Sequence, residues 1–208
     1  MKKFLLIGAM LFWAPHGWAA DAAKNFILTI DGKDFEINAG DTLKANAKSG
    51  SEFEVKLTRK EFSTFNQGKL SFEYRSDLSV ASTDVDKDIH QHLVASALGT
   101  MLIVQQYDRM SPEGLEDFML KQLTESAVGG ADAKLEKSDY TKTLSDGTVL
   151  KGLKAALTSS AEDISFEVVA TPRAANGGVM AISRINTDAS ADEKKIIERF
   201  WASLKIGK

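Results

Sequence analysis

The chain has 208 residues, 43% hydrophobic and 26% charged, with 26 basic against 29 acidic side chains and a net charge of −3. It contains no cysteine, which removes disulfides, thiol catalysis, thiolate metal sites and the lipid-bearing cysteine of a bacterial lipoprotein. Both signs of charge are mixed along the chain, so there is no basic stripe for nucleic acid and no basic amphipathic helix for a membrane surface.

Residues 1–19 read as a secretory signal peptide. Lys2 and Lys3 form its positive start, residues 4–14 are an apolar run too short to span a bilayer, and Gly17 and Ala19 are small residues at the −3 and −1 positions before Ala20. No later segment has transmembrane character. The expected location is therefore the periplasm, or the medium after full secretion. Losing Lys2 and Lys3 leaves 24 basic against 29 acidic side chains, a net charge of −5. A mature chain of about 190 residues can bury a core without covalent staples.

Residues 20–68 form a β-rich N-terminal segment. Phe26, Leu28 and Ile30 alternate with less apolar neighbours, Asp31-Gly32 marks a turn, and Phe35 and Ile37 continue beyond it, which predicts a hairpin. Ala39-Gly40-Asp41 and Ser49-Gly50 are further turns. Phe53, Val55 and Leu57 alternate with charged and polar residues, the pattern of a half-buried strand. So short a segment cannot bury a core by itself and must pack on, or pair with, the remainder of the chain. Phe62 and Phe65 fall in a polar link that ends at Gly68.

Residues 69–208 read as an α+β domain, an antiparallel sheet flanked by two helices. Leu70, Phe72 and Tyr74 alternate in an opening strand, and residues 76–88 are polar and read as a loop. Two strands meet at Leu98-Gly99, the second apolar on both faces and hence central. Residues 111–130 predict a helix with Ser111 as N-cap, Pro112 at the first helical position, Glu113, Glu116 and Asp117 in the opening turns, a stripe of Leu115, Phe118, Met119 and Leu123, and Gly129-Gly130 at the end. Strands come next at 134–140, after the Asp146-Gly147 turn, at Ile164, Phe166, Val168 and Ala170, and at 179–185. Ser190-Ala191-Asp192-Glu193 matches the capping box in which hydroxyl and carboxylate satisfy each other's backbone N–H. Ile196, Ile197, Phe200 and Leu204 make the last helical stripe, with Trp201 at its flank and Gly207 as its stop.

This order of elements over residues 69–206 resembles the PsbP/Mog1/DcrB-like fold. The residues that carry the resemblance are Leu70-Ser71-Phe72-Glu73-Tyr74, the helix of 111–127, and Phe200-Trp201-Ala202-Ser203-Leu204-Lys205-Ile206. The resemblance implies a non-catalytic protein that binds other proteins as an accessory subunit, GTPase-binding factor, envelope protein or secretion chaperone. It carries no functional residue across.

Chemistry concentrates in Asp84-Val85-Asp86-Lys87-Asp88-Ile89-His90-Gln91-His92. In an extended chain every second residue here is a potential ligand on one face. His90 and His92 with Asp88 or Asp86 are therefore the candidate divalent-metal ligands. The alternative is the charged outer face of an edge strand. A calcium loop fails, because Ile89 stands where glycine is needed and Ala95 where glutamate belongs. The mature chain has two histidines, both in this cluster, and no Gly-x-Ser-x-Gly elbow, so an envelope hydrolase is the weakest reading. Phe62, Phe65 and Trp201 are candidate partner anchors if exposed, or the seam between segment and sheet if buried. The expectation is a soluble, exported, non-catalytic factor without a cofactor that binds another envelope or secreted protein as accessory, chaperone, inhibitor or immunity protein. A metal-binding protein using His90 and His92 is the alternative.

Overall fold

Alternating apolar residues run through most of the chain, and alternation builds strands. The computed structural model describes residues 24–44, 54–128, 133–160, 162–173 and 177–207. The stretch read as a signal peptide, the turn expected at Ser49-Gly50, Phe53 and the cap expected at Gly129-Gly130 lie outside them.

The N-terminal segment makes its own sheet. Strands β1 (Phe26–Ile30), β2 (Lys33–Ile37) and β3 (Val55–Arg59) pair antiparallel in the order β2-β1-β3. Asp31 and Gly32 close the first hairpin with φ of 48° and 75°. Both central residues are then left-handed, as in a type I′ turn, and Asp-Gly supplies that at low cost. The Phe62–Phe65 link is a strand, β4 (Phe62–Gln67), which turns at Gly68 into β5 (Leu70–Arg75). Phe65 stacks on Phe72 across that pair, ring centroids 4.9 Å apart.

Seven strands form the main sheet. After β5 come β6 (Ala81–Asp86), β7 (Ile89–Ala95) and β8 (Met101–Tyr107), then helix α1 (Glu116–Val128), then β9 (Ala133–Thr143), β10 (Val149–Ser159), β11 (Asp163–Pro172) and β12 (Gly178–Asn186). Their order is β6-β7-β8-β12-β11-β10-β9, all neighbours antiparallel. Helix α2 (Ala191–Ser203) comes after β12. The closing Lys205-Ile206 is strand β13 (Lys205–Ile206), which pairs with β5 and completes the β13-β5-β4 sheet.

Two cores result. On one face of the main sheet, Leu120 of α1, flanked by half-buried Met119 and Leu123 of the same helix and by Leu115 just before it, covers Phe166, Val168, Met180 and Ile182. On the other, β5 and α2 bring Phe72, Tyr74, Ile196, Phe200 and Trp201 against Val94, Leu102, Val104, Val169 and Ala181. The central strands β8, β11 and β12 are apolar on both faces because both faces are covered.

The expected α+β layout, a sheet flanked by two helices, is overturned: strands hold 55% of the residues, helices 14%, and three sheets carry the fold. The excess strand lies where the sequence is polar. Residues 81–86, read as loop, are the edge strand β6, exposed along its whole length. An edge strand needs no apolar face, so its residues carry no hydrophobic period. Helix α2 packs mainly on β5, so a second sheet layer, not a helix by itself, covers that face.

The mid-chain helix starts at Glu116, later than Ser111. Gly114, at φ +87°, turns the chain first, and Leu115 N–H donates to the Pro112 carbonyl at 3.1 Å. Pro112 is buried over Gly178, where a Cβ would come within 2.1 Å of its Cδ. The helix buries Leu120 and Thr124 most deeply and leaves Phe118 of the predicted stripe exposed. In α2 only half of the capping box forms as expected. Ser190 Oγ accepts from Glu193 N–H, but the Glu193 carboxylate turns away to Ser96 and Arg75.

Gly152 marks the tightest strand contact. A Cβ there would lie 2.1 Å from the Val168 carbonyl oxygen and 2.9 Å from Val169 Cα. Both are backbone atoms and cannot swing aside. Gly152→Ala is expected to destabilise by about 1–3 kcal/mol, the usual cost of overpacking a core; urea denaturation reads it directly.

Candidate functional site

Register places nine side chains in a three-by-three grid on one face of the β2-β1-β3 sheet. Lys33, Ile30 and Val55 form the first row, Phe35, Leu28 and Leu57 the second, Ile37, Phe26 and Arg59 the third. Directly opposed residues of antiparallel strands project to the same face, so seven apolar side chains lie together. None of them belongs to either core cluster. Leu57 is 59% exposed, Val55 53% and Phe35 36%. The remaining four are half-buried. The face carries no carboxylate. Its two charges are Lys33 and Arg59 at opposite corners, and the Arg59 guanidinium sits 5.5 Å from the Phe26 ring centre. The reverse face is mixed: Asp34, Glu36, Lys56, Ile27, Thr29 and Thr58.

The alternation at Phe26, Leu28, Ile30, Phe35, Val55 and Leu57 was visible in the sequence. What it could not show is that this sheet keeps its apolar face outside the main core. Lys33 and Arg59 were missed, because a corner charge has no meaning until the strands are in register.

The His90–His92 stretch is not one extended strand. It folds as a hairpin, with Asp84 and Asp86 in β6, the turn at Lys87-Asp88, and both histidines in β7. A β-bulge falls between Asp84 and Asp86. Asp88 lies at the turn and pairs with Arg109, 2.9 Å away. His90 Nδ1 lies 2.5 Å from Asp84 Oδ1, and its Nε2 lies 3.2 Å from Asp108 Oδ2. The hydrogen bond to Asp84 raises the His90 pKa above its ordinary value, and Asp108 adds to it.

His92 is 2% exposed, under the Phe65 ring at 4.7 Å between centroids. Its Nδ1 is 2.9 Å from Ser82 Oγ, its Nε2 3.1 Å from the Gln106 amide nitrogen. Gln106 Oε1 accepts from Arg173 Nη1, so the amide NH2 faces the imidazole. Nε2 is then the acceptor and the ring proton sits on Nδ1. Burial pushes the His92 pKa down to about 4, with the neighbouring His90 a second cause. Each nitrogen of each imidazole has a partner. A metal on either would have to displace a carboxylate, Ser82 or Gln106, and among the described residues no three His, Asp or Glu side chains converge as a ligand set.

Phe65 and Trp201 lie in the core, where Trp201 Nε1 donates to Ser183 Oγ at 3.3 Å. They fill the seam between the β13-β5-β4 sheet with α2 and the main sheet. Phe62 is half-buried, with Lys195 and Arg199 each 5.7 Å from its ring centre. No described helix is long and apolar enough to cross a membrane. Neither the family models nor the curated proteins compared with this chain give a match.

Proposed function

We propose that this chain is an exported, non-catalytic factor that binds another envelope or secreted protein through the apolar face of β1, β2 and β3. The observation that carries the reading is the seven-residue apolar grid, with half-buried Leu28 at its centre and exposed Phe35, Val55 and Leu57 at its rim. Contiguous exposed apolar surface on a folded chain marks an interaction site far more often than scattered single residues do. Aromatic and aliphatic anchors ringed by polar groups are what an interface core needs. The two histidines, on which a triad or metal centre would depend, are held by fixed partners. The PsbP/Mog1/DcrB-like resemblance of residues 69–206 points the same way.

The test is a photo-cross-linking amino acid placed at Leu57, with Asp34 on the reverse face of the far strand β2 as control, in cells that export the chain. A discrete protein adduct at position 57 and none at 34 is the expected result. No adduct at 57, or equal adducts at both positions, would overturn the reading.

A further inference from the structure

Both outer strands of the N-terminal sheet leave one backbone edge without a partner strand among the described residues. The two edges differ in charge. Strand β2 carries Lys33 with Asp34 and Glu36, whereas β3 carries Lys56 and Arg59 and no acid. All five residues of β3 are exposed, and it has no proline and no bulge, two devices that commonly protect an edge. Lys56 guards the reverse face, and Val55, Leu57 and Arg59 extend the apolar grid to the open edge.

We infer that β3 is a strand-addition site for an extended acidic segment of a partner protein, with alternate apolar residues laid beside Val55 and Leu57 and carboxylates on the reverse face beside Lys56, Arg59 adding its positive charge from the end of the apolar face. This rests on the protein-binding reading above and names the partner's chemistry. Charge complementarity selects the occupant: the strand carries two cations against the single flanking acid Glu54, on a chain of net negative charge. Strand addition supplies main-chain hydrogen bonds for affinity, and alternate side chains supply selectivity. Area argues against a second copy of the chain seated face to face. Three strands of five residues cover roughly 240 Å², and a stable interface needs about 800 Å² from each partner. An added strand does not depend on area to the same degree, because its backbone groups are satisfied along the edge.

The experiment uses the mature chain and labelled eight-residue peptides followed by fluorescence anisotropy. The peptides alternate glutamate with valine, or lysine with valine. A third is the glutamate peptide methylated on one set of alternate backbone nitrogens, and a fourth on the other set. We expect the glutamate peptide to bind at least tenfold tighter than the lysine peptide. One methylated set should abolish binding while the other leaves it, as for a strand that pairs along one edge. Lys56→Glu/Arg59→Glu should reverse the preference; both residues are exposed, and circular dichroism checks that the variant folds. Equal binding of both charges, or indifference to both methylations, would overturn strand addition. So would a dimer in light scattering that Leu57→Asp dissolves, or sedimentation with phosphatidylglycerol vesicles without peptide binding. A protein adduct at position 57 combined with no peptide selectivity would sink this inference and spare the broader one. Absence of both would sink the two together.

Discussion

Replacing Glu193 with alanine lowers the stability of the fold by about 2–3 kcal/mol, from the loss of one partner in a buried charged cluster. Glu193 is 2% exposed. Its carboxylate accepts from Ser96 Oγ at 2.6 Å and from Arg75 Nη1 at 3.4 Å. Ser96 Oγ in turn accepts from the Leu98 and Thr100 N–H groups, each at 3.2 Å, and so holds the turn between β7 and β8. One carboxylate therefore ties the start of α2, the end of β5 and that turn together. Arg75 keeps a second partner, Asp77 at 2.6 Å, and is partly exposed, which holds the loss below that of a fully buried pair. Glu193→Gln keeps an acceptor for Ser96 and should lose less. Ser190→Ala removes only the cap hydroxyl and should cost about 1 kcal/mol. Chemical denaturation of the three variants orders them; a Glu193→Ala loss no larger than that of Ser190→Ala would show the cluster to be inert.

The second large effect is acid destabilisation centred on His92. The folded chain protonates this imidazole only near pH 4, the unfolded chain near its ordinary value of 6.5. As pH falls through that window the unfolded state takes up the proton first, and the native state loses stability. The loss amounts to roughly 3 kcal/mol between pH 7 and pH 4. The physical cause is local. Burial strips the charged form of hydration, and protonating Nε2 would set an N–H against the Gln106 NH2 beneath an aromatic ring. Asp84 and His90 are the charged groups that act on His92 here, and they act in opposite directions. His90 has the reverse linkage. Its pKa is raised, so its contribution is complete below 6.5 and is lost as pH rises through the raised value, outside the acid window. Urea unfolding of wild type and His92→Gln at pH 7, 5.5 and 4.5 is the measurement. The variant should flatten the curve across the window, and parallel curves would remove His92 as its source.

Much of the strand content could be read residue by residue. The Asp31-Gly32 hairpin, the central Met101–Tyr107 strand, the Asp146-Gly147 turn and the capped last helix each have a local cause that needs no tertiary context. Turn residues need left-handed backbone, buried strands need apolar runs, and helix ends need acceptors. The two missed strands share one cause. Residues 81–86 and Phe62–Gln67 are strands whose outward side chains are polar, so their pairing left no hydrophobic period to see. Phe118 fits the i, i+3, i+4 spacing of the predicted stripe, yet the helix docks on Leu120 and Thr124 and leaves Phe118 facing out, a choice made by the sheet it covers. Pro112 seats on Gly178, 66 positions along the chain, so the approach to that helix is likewise fixed by tertiary contact.

The same division holds for the candidate sites. Sequence by itself determined the inventory: no thiol, two imidazoles beyond residue 19, alternating apolar residues in the first strands, and a chain poor in reactive groups. Only tertiary structure decided their use. It buried His92 and bound both its nitrogens, sank Phe65 and Trp201 into the core, and left Phe35, Val55 and Leu57 facing out. The physical reason is that alternation specifies that a strand has two unlike faces, not what will cover the apolar one. Coverage depends on which sheet the strand joins, and that depends on pairings made across the whole chain.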